Sequence, residues 1–417
     1  MARARRAVTD ARRAVEAVWR IESARIVATL ARYTGDFALA EDLAQEALGE
    51  ALAAWPASGV PVNPGAWLVT VGKRRAIDLW RRQGRESERY ALLAEPAAAQ
   101  EELAEPDAVA DDVLRLVFIA CHPVLAREAS VALTLRTVGG LSSAEIARAF
   151  LVPVATVQQR IVRAKKTLAA AAVRFELPPP QEYPARLSAV LSVLYLIFNE
   201  GHAASSGPEW MRTELSTEAL RLARVLAGLL PREPEVHGLV ALMALTAARF
   251  PARLDRNRDP VLLADQDRAR WDRALIALGE EALARADGLA AGRGPYALQA
   301  AIAQCHALAP SVEATDWQRI VLLYEALSRI APSPVVELNR AVAVAMAEGP
   351  ATALRIVDAL AADRALAAYA QLPGVRAELL VRLGRLDEAR EELERAARLS
   401  GNERERRVFE RKARELS

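Results

Sequence analysis

The sequence predicts an all-α protein. Two small helical domains, the second holding a helix-turn-helix, precede a large helical carboxy-terminal region with repeats. Hydrophobic residues make up 52% of the 417 residues, which is enough for cores in two or three domains. Ala, Leu, Arg and Glu dominate and β-branched runs are scarce, a composition that favours helix. Most segments also place apolar residues at helical spacing. The predicted divisions are 10–85, a linker at 86–110, then 111–176, 185–290 and 296–417.

Charge and cysteine content exclude several classes. The formal net charge is only +2, so any nucleic-acid surface must be local. The two cysteines, Cys121 and Cys305, are far apart and lack metal-ligand spacing, which points away from a disulfide scaffold and toward a reducing compartment. The arginine-rich amino terminus has no apolar core and is not read as a secretory signal. The longest apolar run, 189–198, is too short to span a bilayer, so the expectation is a soluble cytoplasmic protein with no membrane partner.

Residues 1–85 carry three helical patterns. In "GDFALAEDLAQEALGEALAAWP" (35–56), Asp36 is the expected N-cap. An apolar stripe runs through Leu39, Leu43, Ala47, Leu48, Ala51 and Leu52. The opposite face carries Asp42, Glu46 and Glu50 four residues apart, a spacing at which like charges destabilise an isolated helix. Such a face suits either a basic partner or plain solvation. In "NPGAWLVTVGKRRAIDLWRRQGR" (63–85), Asn63 caps and Pro64 takes the first helical position. Trp67, Leu68, Val71 and Leu79 supply packing, while Lys73, Arg74, Arg75, Arg81, Arg82 and Arg85 form a basic surface. Basic and aromatic residues interleaved in this way suit melted DNA, although Trp67 and Trp80 equally suit a core.

After an Ala-, Glu- and Pro-rich stretch, helices resume. "LSSAEIARAFLVPVATVQQRIVRAKKTL" (141–168) reads as two short helices about a turn. Ser142 and Glu145 form a capping box, flanked by Leu141 and Ile146 as a hydrophobic staple. In the second helix Val157, Ile161, Ala164 and Leu168 make one stripe. Thr156, Gln158, Gln159, Arg160, Arg163 and Lys166 fall off it, as donors and acceptors for base edges and phosphates. This is the pattern of a helix-turn-helix with its second helix as reader. Consecutive prolines in "ELPPPQEYP" (176–184) mark the sharpest boundary.

In the tail, Asn199, Glu200 and His202 in "NEGH", with Asp265 and Arg268 in "ADQDRARW", suggest a buried polar network between tail helices or against the preceding domains. No catalytic motif, metal-ligand set or cofactor loop stands in the sequence, so catalysis, metal and cofactors are assigned to none. Ala341 and Ala377, Gly349 and Gly384, and Ala353 and Ala389 recur 35 or 36 residues apart, as in a helical-hairpin repeat whose concave face binds a peptide or protein.

Taken together, "AEDLAQEAL", "PGAWLVTVGKRRAIDLWRR" and the 141–168 stretch resemble, in order, an RNA polymerase sigma factor of the extracytoplasmic-function type (sigma-70 group IV). The tail resembles the subgroup whose long extension ends in tetratricopeptide-like repeats. The resemblance implies that Asp42, Leu43, Gln45 and Glu46 bind core RNA polymerase at its beta-prime clamp helices, with the beta flap as a further contact. It implies −10 promoter contacts from Asn63, Trp67, Lys73, Arg74, Arg75 and Arg81. It implies −35 contacts from Thr156, Gln158, Gln159, Arg160, Arg163 and Lys166, and a tail that modulates activity. Where the family's turn often has glycine, this chain has Leu151. Two other functions fit parts of the pattern: a helix-turn-helix regulator acting without polymerase, and a repeat scaffold that binds peptides. The acidic helix favours a sigma factor over the first, and the basic helix argues against the second.

Overall fold

The computed structural model describes residues 2–82, 106–150, 152–204, 209–256, 258–289 and 292–416. Among these the chain is helical and contains no strand, as its composition predicts. No helix among them is long and apolar enough to cross a membrane. The chain divides into two compact units, 1–194 and 195–417.

The first unit begins with α1 (Ala2–Thr34), α2 (Phe37–Ser58) and α3 (Pro64–Arg82). Gly35 adopts φ 68° and breaks the chain between α1 and α2. Asp36 then caps α2, accepting from the Leu39 amide at 3.0 Å. The core face of α2 differs from the predicted stripe. Phe37, Ala40, Leu43, Ala44, Ala47, Ala51 and Trp55 are buried, whereas Leu52 is 39% exposed. The reason is size: Ala40, Ala44, Ala47 and Ala51 let α2 approach α1 closely, so the stripe rotates toward the alanines and Leu39, Leu48 and Leu52 move to its edge. Gly72 serves the same closeness in α3, because a Cβ there would lie 2.7 Å from Leu30 Cδ1.

Four more helices follow: α4 (Pro106–Ala120), α5 (Arg127–Thr137), α6 (Ser143–Phe150) and α7 (Val154–Ala170). The expected linker at 86–110 lies mostly outside the described residues, and its last part, 106–110, is already helix. Buried Asp112 ties α4 to α1, pairing with Arg32 at 3.2 Å and with Arg115 at 2.5 Å. The proline-rich stretch does precede a new helix, α8 (Tyr183–His202), but the compact units part inside that helix, between Leu194 and Tyr195. Its first turns stay with α4, because Arg186 donates to the Phe118 carbonyl at 3.0 Å and the Tyr183 ring lies 5.4 Å from that of Phe118.

The second unit continues through α9 (Thr213–Leu229), α10 (Pro234–Ala247), α11 (Arg273–Leu289) and α12 (Pro295–Leu308). α10 is apolar nearly all round, and α9, α11 and α12 enclose it, as such a helix requires. Six helices complete the chain: α13 (Trp317–Ile330), α14 (Pro334–Ala347), α15 (Pro350–Leu360), α16 (Gln371–Arg382), α17 (Leu386–Leu399) and α18 (Glu403–Glu415). Each packs on the next. The recurring residues occupy matching places. Ala341, Ala353, Ala377 and Ala389 are all fully buried, and Gly349 (φ 102°) and Gly384 (φ 75°) turn the chain between α14 and α15 and between α16 and α17.

Candidate nucleic-acid interface

The clearest element is the pair α6–α7. The Ser142 amide donates to Glu145 Oε2 at 2.8 Å, and the Glu145 amide donates to Ser142 Oγ at 3.2 Å, a complete capping box. Leu141 and Ile146 are both buried. In α7, Val157, Ile161, Ala164 and Leu168 are the buried residues. Gln158, Gln159, Arg163 and Lys166 are exposed, and Thr156 and Arg160 are half-buried at the margin. One face of α7 is therefore held by the domain and the other offers amides and cations to solvent. Leu151, in the turn, lies outside the described residues.

The basic helix α3 is capped as its sequence predicts, with the Ala66 amide donating to Asn63 Oδ1 at 3.1 Å. Trp67 is half-buried against Trp55, with ring centres 5.5 Å apart, and Trp80 stacks on Tyr33 at 5.7 Å. Lys73 lies 5.3 Å from the Tyr33 ring centre, and burial together with nearby Arg32 lowers its pKa. Arg74 pairs with Glu50, Arg75 pairs with Glu50 at 3.0 Å and reaches Glu46 at 4.0 Å, and Arg81 sits 4.0 Å from Asp78. Arg85 lies outside the described residues.

The acidic row of α2 therefore has partners within the chain, although Asp42 and Glu46 stay mostly exposed. Glu46 and Glu50 meet arginines of α3, and Asp42 pairs with Lys165 of α7 at 2.7 Å. Beside it stands Glu41, whose side chain is 5% exposed and pairs with both Lys165 and, at 3.4 Å, Arg136 of α5. Arg136 also donates to Gln45 Oε1 and, at 3.2 Å, to the Leu141 carbonyl. Burial alone would push the Lys165 ammonium down, but Glu41 and Asp42 more than offset it and raise its pKa. The like-charge spacing does need a basic partner, and this chain supplies one itself. Leu43, expected in a contact with polymerase, is 1% exposed and belongs to the core of α2. Glu41, Arg136 and Lys165 carry no motif. Their signal is positional: Glu41 and Lys165 each sit beside an apolar stripe, where a charged residue requires a partner.

The tail residues separate into distinct contacts. Glu200 pairs with Arg212. His202 Nδ1 accepts from Arg253, which also donates to the His202 carbonyl at 2.6 Å. Asn199 bonds the Tyr195 hydroxyl. Arg268 instead donates to the carbonyls of His306 at 2.5 Å and Ala309 at 2.8 Å, and Asp265 is exposed. No bond joins His202 to Asp265 or Arg268 among the described residues, because the two stretches belong to different helix ends.

Comparison with known proteins matches three stretches of the chain. Residues 20–86 match the model for sigma-70 region 2, and 115–168 match sigma-70 region 4. Residues 186–287 match a family of unknown function, DUF6596. The chain is 47% identical over 380 residues to the uncharacterized protein R00370 of Rhizobium meliloti (strain 1021), a match that covers 89% of each. No solved structure matches the chain.

Proposed function

From the premise that the chain belongs to one family with the Rhizobium meliloti protein and carries the sigma-70 regions 2 and 4 of a transcription-initiation factor, we propose that it is an extracytoplasmic-function sigma factor whose tail modulates its activity. Core polymerase docks through α2, at Asp42, Gln45 and Glu46. The beta-prime clamp helices are the proposed partner there, and the beta flap is the partner of the 115–168 domain. α3 meets melted −10 DNA through Lys73, Arg74, Arg75 and Arg81, with Asn63 and Trp67 at its start. α7 enters the −35 major groove and reads it through Gln158, Gln159, Arg160 and Arg163, with Thr156 and Lys166 beside them. The observation that carries this reading is the two-sided α7, with a buried apolar stripe and an exposed row of amides and cations.

The repeat-bearing helices α13 to α18 take a peptide or protein partner on this reading, and the residues from Asn199 to His202 hold the start of the tail in place. The experiment is in vitro transcription with core polymerase on a candidate promoter, comparing the full chain with one that ends at Leu194. Promoter-specific transcripts from the full chain, and a changed yield without residues 195–417, are the expected results. No transcript at any protein concentration would refute the sigma reading.

A second reading rests on the pairing of Asp42, Glu46 and Glu50 within the chain. Because these charges need no outside cation, the acidic row alone does not call for polymerase. A regulator that binds DNA without polymerase would protect a promoter from cleavage by itself and fail to co-purify with core enzyme.

A further inference from the structure

Three arginines of the second unit share one neighbourhood. Arg249 follows α10, Arg253 follows the short turn Phe250–Ala252, and Arg268 opens the turn Arg268–Arg270. The guanidinium carbons of Arg249 and Arg268 lie 5.8 and 4.8 Å from the centre of the same indole, that of Trp271. Arg253 lies 6.0 Å from the Trp210 ring centre. Among the described residues none of the three forms an ion pair with a carboxylate. Glu313 acts on Arg268 only from beyond pairing distance, and it is exposed.

Two of the three have a structural task. Arg268 closes the carboxyl end of α12 through the His306 and Ala309 carbonyls and reaches Thr315 Oγ1 at 3.4 Å. Arg253 closes the carboxyl end of α8 through His202. Helix carboxyl ends carry partial negative charge, which compensates these two in part. Arg249 has no such carbonyl. Its Nε donates to Gln266 Oε1 at 3.3 Å, and its two terminal nitrogens make no hydrogen bond among the described residues.

Burial and the neighbouring guanidinium push Arg249 down to about 10 and Arg253 to about 9. Burial and the same arginines hold His306 at about 3 and His202 well below its usual value, so both imidazoles are neutral. The buried Trp271 Nε1 and the His306 Nδ1 have no hydrogen-bond partner among the described residues. Cations collected without an acid, with donors unused, are what an oxyanion site requires: guanidinium forks match phosphate oxygens two at a time.

We propose that Arg249, flanked by Arg253 and Arg268, is a binding site for a small phosphate-type oxyanion, and that it gives the 186–287 portion of the tail a ligand. Arg249 supplies the open fork, and the two flanking arginines add charge without leaving their helix ends. The proposal does not depend on the reading of the first unit, because every residue named lies in the second.

The test titrates the full chain calorimetrically with inorganic phosphate, pyrophosphate and adenosine monophosphate, at constant ionic strength in a chloride buffer. One saturable site is expected, weakened at least tenfold in Arg249→Gln and in Arg249→Lys, which keeps the charge but loses the fork. Arg224→Gln, at an exposed arginine elsewhere on α9, should bind as the parent does. Tighter binding of the nucleotide would assign the phosphate to an organic ligand, and equal binding to the free ion. A bound phosphate anion should also raise the His306 titration seen by NMR, and at the same probe concentration that shift should be smaller in Arg249→Lys. If none of the three probes saturates a site, or if both Arg249 variants bind them as well as the parent, the proposal is wrong.

Discussion

Replacing Glu41 by glutamine tests the contact between α2 and α7 most sharply. The Glu41 side chain is 5% exposed and pairs with Arg136 and Lys165, which are themselves 16% and 14% exposed. Removing one partner of a buried pair commonly costs about 3–5 kcal/mol, because a charge is left without compensation. Here the loss is smaller. Lys165 keeps Asp42 at 2.7 Å, and Arg136 keeps Gln45 and the Leu141 carbonyl. The glutamine oxygen also still accepts one hydrogen bond, so one charge-assisted bond is lost outright and the expected cost is about 2–3 kcal/mol. Asp42→Asn is the control. Asp42 is 67% exposed, and an ion pair so open to water contributes less than about 1 kcal/mol. The assay is urea unfolding followed by tryptophan fluorescence, with Trp19 and Trp55 buried in the first unit as reporters and the transition of that unit analysed by itself. A Glu41→Gln loss within about 0.5 kcal/mol of the parent, the usual range for surface sites, or an Asp42→Asn loss as large as that of Glu41→Gln, would refute this account of the contact.

Arg163→Ala should weaken −35 binding by about 1–3 kcal/mol if the guanidinium meets a base edge, and a filter-binding series over salt will instead show a slope reduced by about one if it meets phosphate. The contribution of Lys165 follows from its raised pKa: it is fully present below the unfolded lysine value of about 10.4 and is lost as pH rises through the folded value. The stability difference between the parent and Lys165→Met should therefore be flat across neutral pH and shrink only in strong alkali. Burial pushes the Cys121 thiol up to about 12, so a thiol reagent at neutral pH should label Cys305 and reach Cys121 only on unfolding.

The helix-turn-helix was legible because each of its signals is local. A capping box acts within one turn, and the stripe Val157, Ile161, Ala164, Leu168 needs only the helical period. The same holds for the Asp36 and Asn63 caps. The apolar face of α2 is less legible. Periodicity weights leucine over alanine, but close helix packing favours the smaller side chain, and Leu52 ended at the surface. The contact of Glu41 with Arg136 and Lys165 joins positions some hundred residues apart, so no local pattern announces it. The proline run at 177–184 was visible, yet the units part later, because Tyr183 and Arg186 bind the start of α8 to α4. The arginine cluster was half visible: "ADQDRARW" supplied Arg268, but its acids turned outward, and the decisive Arg249 lies at the end of an apolar helix with nothing to mark it.

The closed contact also separates the two binding events of the proposed function. Lys165 pairs with Glu41 and Asp42 and Arg136 with Glu41 and Gln45, so in this state two of the proposed docking residues of α2, Asp42 and Gln45, already have partners within the chain, although Asp42 stays 67% exposed. The reader side of α7 is not, since Gln158, Gln159, Arg163 and Lys166 remain exposed while Lys165 points to α2. On the proposed function, binding of a −35 duplex needs no opening, whereas polymerase docking at Asp42 and Gln45 competes with their pairing inside the chain. Lys165→Glu sets a carboxylate against two others and should release α7 from Glu41 and Asp42, at a cost to the stability of the free chain, while Arg136 keeps Glu41 and Gln45. Its effect on duplex affinity should be small, because a side chain 14% exposed and turned to α2 does not reach phosphate. Its affinity for core polymerase should rise, because the parent must break two ion pairs that the variant lacks, and the apparent affinity of a binding-competent state scales with its population. Fluorescence anisotropy with a labelled −35 duplex and, separately, with core enzyme measures both. Unchanged or weaker polymerase binding in a folded Lys165→Glu protein would mean that the α2–α7 contact does not compete with polymerase, and that polymerase approaches the chain by another face.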